Sequence, residues 1–332
     1  MNLTRRHAVA AASVALITRP AHAQAAFEFK IGFDDPDSHP MSIRIVEMAK
    51  TILEQSGGRL NIKVFPNSLL GGDTEMLSQV RSGGLELFGA PSLTLSTLVA
   101  LSGLPSVGFA FKSYDQIWAA MDGDLGTLIR AAIIKSGLMP IGPVWDNGFR
   151  QITTSKTPVN TPSDFAGFKI RVPNTALLTS LFSSLGASPT SINFNELYSA
   201  LQTHVVEGQE NPLALIESNK LYEVQKFCTL SNHCWSGYWI VANRRALARL
   251  PEDLRTLLEH SLTTEALAER ADLAKADAAV RAGLAAKGLI FNTPDPAPFQ
   301  AALKAKGFYA QWKQTYGAEA WAVLERYTGA LT

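Results

Sequence analysis

The chain has 332 residues, 46% hydrophobic and 18% charged, with 30 lysines and arginines against 29 aspartates and glutamates. That length is long for one compact domain and comfortable for two. A formal net charge of +1, without any cluster of basic residues, leaves no electrostatic footprint for nucleic acid and excludes that partner.

The chain begins "MNLTRRHAVAAASVALITRPAHA", with Arg5 and Arg6, an apolar run from Ala8 to Ile17, and Ala21-His22-Ala23. These are the three parts of an export signal, here residues 1–23, cleaved near Ala23. The apolar run is about half of the roughly 20 residues a membrane-spanning helix needs, so the sequence predicts an exported, periplasmic protein without an anchor. The arginine pair leaves Sec and twin-arginine export both open.

Beyond the signal, "FEFKIGF" (27–33) alternates as a strand, and "HPMSIRIVEMAKTILEQSGG" places Ile45, Ala49, Ile52 and Leu53 at helical spacing before Gly57. "RLNIKVF" alternates again, Asp73 is expected to cap a helix through Val80, and "LELFGA" supplies a third strand. Strand, helix, strand, helix, strand is the pattern of a largely parallel α/β sheet. The theme then repeats, with strands expected at 150–155 and 168–172 and a helix at 175–186. Another helix is expected over "NFNELYSALQTHVVEG", with Leu197, Leu201 and Val205 on one stripe, and "CWSGYWIVAN" reads as a strand crossing back. The longest helical segment lies between Pro251 and Gly283, with Leu254, Leu257, Leu258, Leu262, Leu267, Ala271 and Ala274 on its apolar face. At 1.5 Å per residue it reaches roughly 45–50 Å, long enough to lie across two domains.

Standard catalytic signatures are absent: there is no GxGxxG after a strand, no GxxxxGK[ST], no HExxH and no GxSxG. His39, His204, His233 and His260 follow no ligand-like spacing, and a strand would turn His233 and Cys234 to opposite faces, so neither a metal nor a cofactor is expected. Glu207 and Glu210 read as solvated carboxylates. Cys228 and Cys234 read as two buried small residues, because a disulfide would require the five residues between them to turn back.

The polar residues at element ends are more telling. "GFKIRVPN" ends a strand on Arg171, "WDNGFRQITTSK" begins one at Arg150, and "GQENPL" follows a helix with Gln209 and Asn211. In open α/β sheets ligands bind beyond the carboxyl ends of the strands. Two arginines and an asparagine meeting there suit a carboxylate, whose two oxygens match the guanidinium fork. Taken singly, each arginine reads better as a charge on a wet strand face; it is the constellation that brings a ligand site level with that reading.

"LGGDTEML", "WDNGFRQITTSKTPVNTPSDFAGFKIRVPN", "GASPTSINFNELYSALQTHVVEGQENPL" and "KLYEVQKF" together resemble the DctP-type solute-binding proteins of TRAP (tripartite ATP-independent periplasmic) transporters. The resemblance runs from Phe27 to the C-terminus. It implies an α/β, two-domain periplasmic-binding-protein-like fold with a ligand cleft between domains and a long helix spanning both. The corresponding domains are 24–148 with 237–276, and 149–236 with 277–332. It also implies capture of a small organic acid, without catalysis, for delivery to the small and large membrane subunits of the transporter. By the same resemblance Arg171 makes the carboxylate salt bridge, Arg150 and Asn211 are further contacts, and Phe194 packs on the ligand. Asp73 reaches ligand hydroxyls from a position where Glu is frequent, and His39 and Trp235 lie near the cleft. Pro91 and Thr94 replace the acidic and basic residues of the sialic-acid binders, which points away from a nine-carbon sugar acid. With Trp145, Trp235 and Tyr238 nearby, a small acid with an aromatic or keto group is expected. A ligand sensor for a receptor, or a secreted enzyme on the same frame, is the alternative.

Overall fold

The computed structural model describes residues 26–332, so the expected export signal lies outside the described residues. The frame consists of two six-stranded sheets. The first begins with Phe27–Gly32 (β1), Leu60–Phe65 (β2) and Leu87–Pro91 (β3), separated by helices Pro40–Gln55 and Asp73–Ser82. β1 pairs in parallel with both β2 and β3. Parallel pairing requires helical crossovers, so the loops after all three strands open at the same edge of the sheet. Leu138–Pro140 (β4) and Trp145–Phe149 (β5) complete this pass.

The chain then crosses to Gln151–Thr154 (β6), Lys169–Val172 (β7), Ser188–Ser191 (β8), Gly208–Asn211 (β9) and Phe227–Thr229 (β10) in the second sheet. Trp235–Asn243 (β11) returns to the first sheet, antiparallel to β3, β4 and β5, and Ile290–Asn292 (β12) joins β10. All nine residues of β11 are buried. Alternation explains this: Trp239 and Val241 enter one core, while Tyr238, Ile240 and Ala242 enter the other.

The long helix runs Glu252–Ala286, 35 residues, or about 52 Å. Near its start Leu254, Leu258, Leu262 and Ala266 share a core with Ile45 and Met48 of the first sheet's helix. Near its end Leu284 packs with Ile216, and Lys287 pairs with Glu217 at 3.0 Å, both on the second sheet's side. The helix spans both units, as expected, but its buried face differs. Leu267 is 54% exposed and Ala271 and Ala274 are exposed as well, whereas Glu269 and Arg270 are buried. The charged pair is accommodated by partners. The Asp146 amide donates to Glu269, and Arg270 donates to both Asp122 oxygens and to the Val144 carbonyl.

Two further expectations change. Gly72, not Asp73, caps the second helix, its amide donating to Glu75 Oε2 at 2.9 Å, which leaves the Asp73 carboxyl free for other contacts. The helix expected over 193–208 shrinks to the short turn Phe194–Glu196 and Leu197–Gln202, and Val205 is exposed, because the chain must straighten into β9.

Arg270 also stacks over the Trp118 ring at 3.9 Å. Arg270→Ala is therefore expected to lower stability by about 2–4 kcal/mol by stripping the buried Val144 carbonyl of its donor and the Trp118 ring of its cation. Arg270→Lys should recover only part of the loss. A urea unfolding midpoint that falls at unchanged slope is the readout.

Candidate functional site

The open edges of the two sheets face one another. The first sheet contributes Asp34, Asp35 and His39 after β1, Asp73 after β2 and Thr94 after β3. The second contributes Arg171 from the end of β7, Phe194 after β8 and Asn211 from the end of β9. Thr74 donates to Asn193 at 3.4 Å, and the Ser96 and Thr175 hydroxyls meet at 3.1 Å, so the two sides touch across the cleft.

Arg171 is not on a wet face. It is 1% exposed, while its neighbour Lys169 points to solvent. Its Nε donates to the Ile192 carbonyl at 2.9 Å, and its guanidinium carbon lies 5.8 Å from the Phe194 ring centroid. Among the described residues, nothing accepts from its two terminal nitrogens. Burial pushes this guanidinium down to about 10. Phe194 and Asp34 line a cavity of about 540 Å³ at one mouth of the cleft. A separate groove of about 800 Å³ is lined by Tyr114, Asn147 and Phe149 among others.

Arg150 is differently placed. Its Nε and Nη2 grip both oxygens of Glu210, at 2.5 and 2.8 Å, and Nη2 also reaches the Glu210 carbonyl and Asn211 Oδ1. Nη1 donates to Ser236 at 3.2 Å. Glu210, expected in solvent, is fully buried, and His233 Nε2 lies 3.0 Å from its Oε2. Burial alone would raise the Glu210 carboxyl, but the Arg150 charge and the His233 and Arg150 hydrogen bonds outweigh it and hold it at about 2. Asn211 continues the chain of bonds, donating to Gln209 Oε1 at 2.5 Å.

His233 and Cys234 were expected to diverge, yet their ligating atoms and that of Glu210 lie within 4.8 Å of one another, because β11 begins only at Trp235. These residues suit a metal poorly. Both Glu210 oxygens are engaged by Arg150, and burial together with the Glu210 charge holds the Cys234 thiol well above its ordinary range. Cys228 and Cys234 are buried and unbonded.

The first sheet's side is acidic. Asp34 and Asp73 are nearly buried, and among the described residues each keeps an Oδ1 with no partner, as does Oδ2 of Asp35. Burial, then the neighbouring Asp35, raises Asp34 to about 8, and burial, then Asp34, holds Asp73 well above the usual carboxylate range. Thr94 donates to Asp73 at 3.4 Å, and Tyr238 to Asp35 at 2.9 Å. His39 caps the helix Pro40–Gln55 through Nδ1, and burial lowers it to about 3, so it is neutral in ordinary buffers. Trp235 belongs to the core, edge-on to Trp118, with its Nε1 donating to Asp146 at 2.8 Å. Trp145 is likewise core. Asp34, Asp35, Glu210 and His233 escaped the sequence reading. The pair "DD" directly after β1, at a strand's carboxyl end, was the signal for the first two.

The family model for bacterial extracellular solute-binding proteins, family 7 (DctP), matches residues 32–314. A solute-binding protein of Roseobacter denitrificans is 32% identical over 291 residues, covering 87% of this chain and 88% of the relative. An uncharacterized protein of Sinorhizobium fredii is 36% identical over 264 residues, 77% of this chain, which spans about half of it (48%). Two crystal structures share the fold. A TRAP periplasmic solute binding protein of Roseobacter denitrificans with bound β-D-glucuronate has a TM-score of 0.86 at 29% identity, covering 91% and 99% of the two chains. Another from Sulfurospirillum deleyianum with bound succinate has a TM-score of 0.85 at 28% identity, covering 92% and 99%.

Glu210→Gln removes the charge that compensates buried Arg150, and is expected to cost about 3–5 kcal/mol at pH 7. A carboxyl held below its unfolded value contributes stability that is present above about pH 4.5 and lost as the pH falls toward 2. The gap between wild type and variant in urea unfolding should therefore narrow from pH 5 toward pH 3.

Proposed function

The chain belongs to the DctP family of bacterial extracellular solute-binding proteins, and we propose that it captures a small organic acid in the cleft between its two domains through an ion pair with Arg171. The observation that carries this reading is an arginine 1% exposed whose two terminal nitrogens meet no protein acceptor among the described residues. Burying a cation without a partner is costly, and a bound carboxylate repays that cost with two parallel hydrogen bonds. Phe194 then covers the arginine from one side. Arg150 is fixed by Glu210 and Asn211, which suits a residue that shapes the chamber and offers at most its remaining Nη1 hydrogen to the ligand.

Capture here precedes delivery: the acid is handed, in the periplasm, to small and large membrane subunits of a TRAP transporter. No helix among the described residues is long and apolar enough to cross a membrane. The domain division proposed is 24–148 with 237–276, against 149–236 with 277–332, and closure would bring Arg171 onto the ligand. The protein performs no turnover on this reading. Ser231, His233 and Glu210 do form a hydrogen-bonded series, at 2.9 and 3.0 Å. However, Arg150 draws on the Glu210 charge and burial holds His233 below its ordinary value, which disarms the histidine as a base.

Arg171→Ala should weaken binding of the acid by about 30-fold or more, as truncation of a buried charge pair does. Arg171→Lys should not restore it, since an ammonium lacks the fork. Titration calorimetry on the folded variants decides. An affinity within about threefold of wild type would remove Arg171 from the site.

A further inference from the structure

The groove of about 800 Å³ lies along the middle of the long helix, where the two proposed domains meet. On that helix Leu273, Ala276 and Val280 line it, at the spacing of one face. Leu273 is 9% exposed, yet it belongs neither to the core that Leu254, Leu258, Leu262 and Ala266 enter nor to the one that Leu284 enters. The stretch of helix between the two cores thus turns an apolar face to the groove. Tyr114 and Phe149, edge to face with ring centroids 5.2 Å apart, stand on the first sheet's side, and Leu213 and Tyr222 on the second's.

The rim is cationic. The exposed side chains Lys112, Lys220, Arg281 and Lys287 line it against two acids, Glu217 and Asp277. Glu217 is taken by Lys287 at 3.0 Å. Among the described residues Lys112, Lys220 and Arg281 pair with no carboxylate, and Arg281 lies 5.5 Å from the Phe291 ring centroid instead. Asn147 also lines the groove; it is 4% exposed, and among the described residues its Oδ1 meets no donor.

Apolar walls favour a ring or alkyl body leaving water, surplus cations favour one acidic group, and a buried carbonyl oxygen without a donor favours one N–H or O–H. The volume falls within the roughly 300–1,000 Å³ of small-molecule sites, which lie preferentially at domain boundaries. We infer that this groove is a second ligand site, for an amphipathic anion: a ring-sized apolar body that carries one acidic group and one hydrogen-bond donor. Its lining includes none of Arg171, Asp34, Asp73 or Phe194, and the inference does not depend on what the cleft holds.

The probe is 8-anilinonaphthalene-1-sulfonate, which has all three features and brightens when it leaves water. The whole protein should bind one equivalent saturably, with a dissociation constant of about 100 μM or tighter. Ala276→Glu and Val280→Glu, at part-exposed positions on the helix, should each weaken it at least about tenfold. Lys112→Gln combined with Arg281→Gln should weaken it at least about threefold, the scale of exposed charge contacts. Arg171→Ala, in the cleft, should leave it within about threefold. A urea midpoint equal to wild type shows that a variant is folded, and two helix variants keep the test open if one of them is not. Absence of saturable binding below about 1 mM overturns the inference. So does affinity unchanged within about threefold in the folded helix variants, or loss of binding in Arg171→Ala, since either puts the probe elsewhere. Unchanged affinity in the Lys112/Arg281 double variant removes the preference for an anion, and the inference falls with it.

Discussion

The Arg150–Glu210 ion pair is the constraint on which the rest of the cleft depends. Arg150 is the residue between β5, in the first sheet, and β6, in the second. Its guanidinium holds Glu210 and Asn211 of β9 on one side and Ser236 of β11 on the other. One side chain therefore pins both chain crossings to the floor of the second sheet. Two buried charges on their own would be a liability, but Glu210 is bonded by Arg150 through both oxygens and by His233 as well. A network satisfied this fully rigidifies its surroundings. Gly237 lets β11 lie close beside β5 at this point, since a Cβ there would come within 2.6 Å of the Trp145 carbonyl.

Glu210 is engaged by Arg150, and Arg171, a short way along the same sheet, feels the charges of Glu210, Asp73 and Asp34 while, among the described residues, no acceptor takes its terminal nitrogens. The two arginines thus have opposite fates from similar sequence surroundings: one is consumed by structure and the other is available for chemistry. On the proposed reading, the burial of Arg171 would give it selectivity for a ligand, because a solvated arginine would lose little without its partner and gain little with it.

Much of the frame was legible in the chain. Alternating runs and helical spacing gave β1, β2, β3, β6, β7 and β11 to within a residue or two, and a strand ending in Arg-Val-Pro put Arg171 at a carboxyl end. What escaped shares one physical cause: whether a charge is buried depends on partners distant in sequence. Glu210 reads as a surface acid until Arg150, 60 residues away, is folded against it. The long helix shows the same effect. Leu267 reads as apolar face, yet the buried turn is filled by Glu269 and Arg270, whose partners Asp146, Asp122 and Val144 lie more than 100 residues upstream. Asp34 and Asp35, in "DDPDS", look like an ordinary polar turn and come to be buried in the candidate site only because β1 ends at the cleft.

The distribution of unsatisfied groups gives the cleft its direction. The first sheet's side holds open acceptors on Asp34, Asp35 and Asp73, and the second holds open donors on Arg171. A ligand that answers both must touch both domains, and its binding energy is then realised only when they are together. That is differential affinity for the closed arrangement, the one quantity by which a ligand shifts a conformational equilibrium. On the proposed reading, charge placement would itself couple recognition to closure.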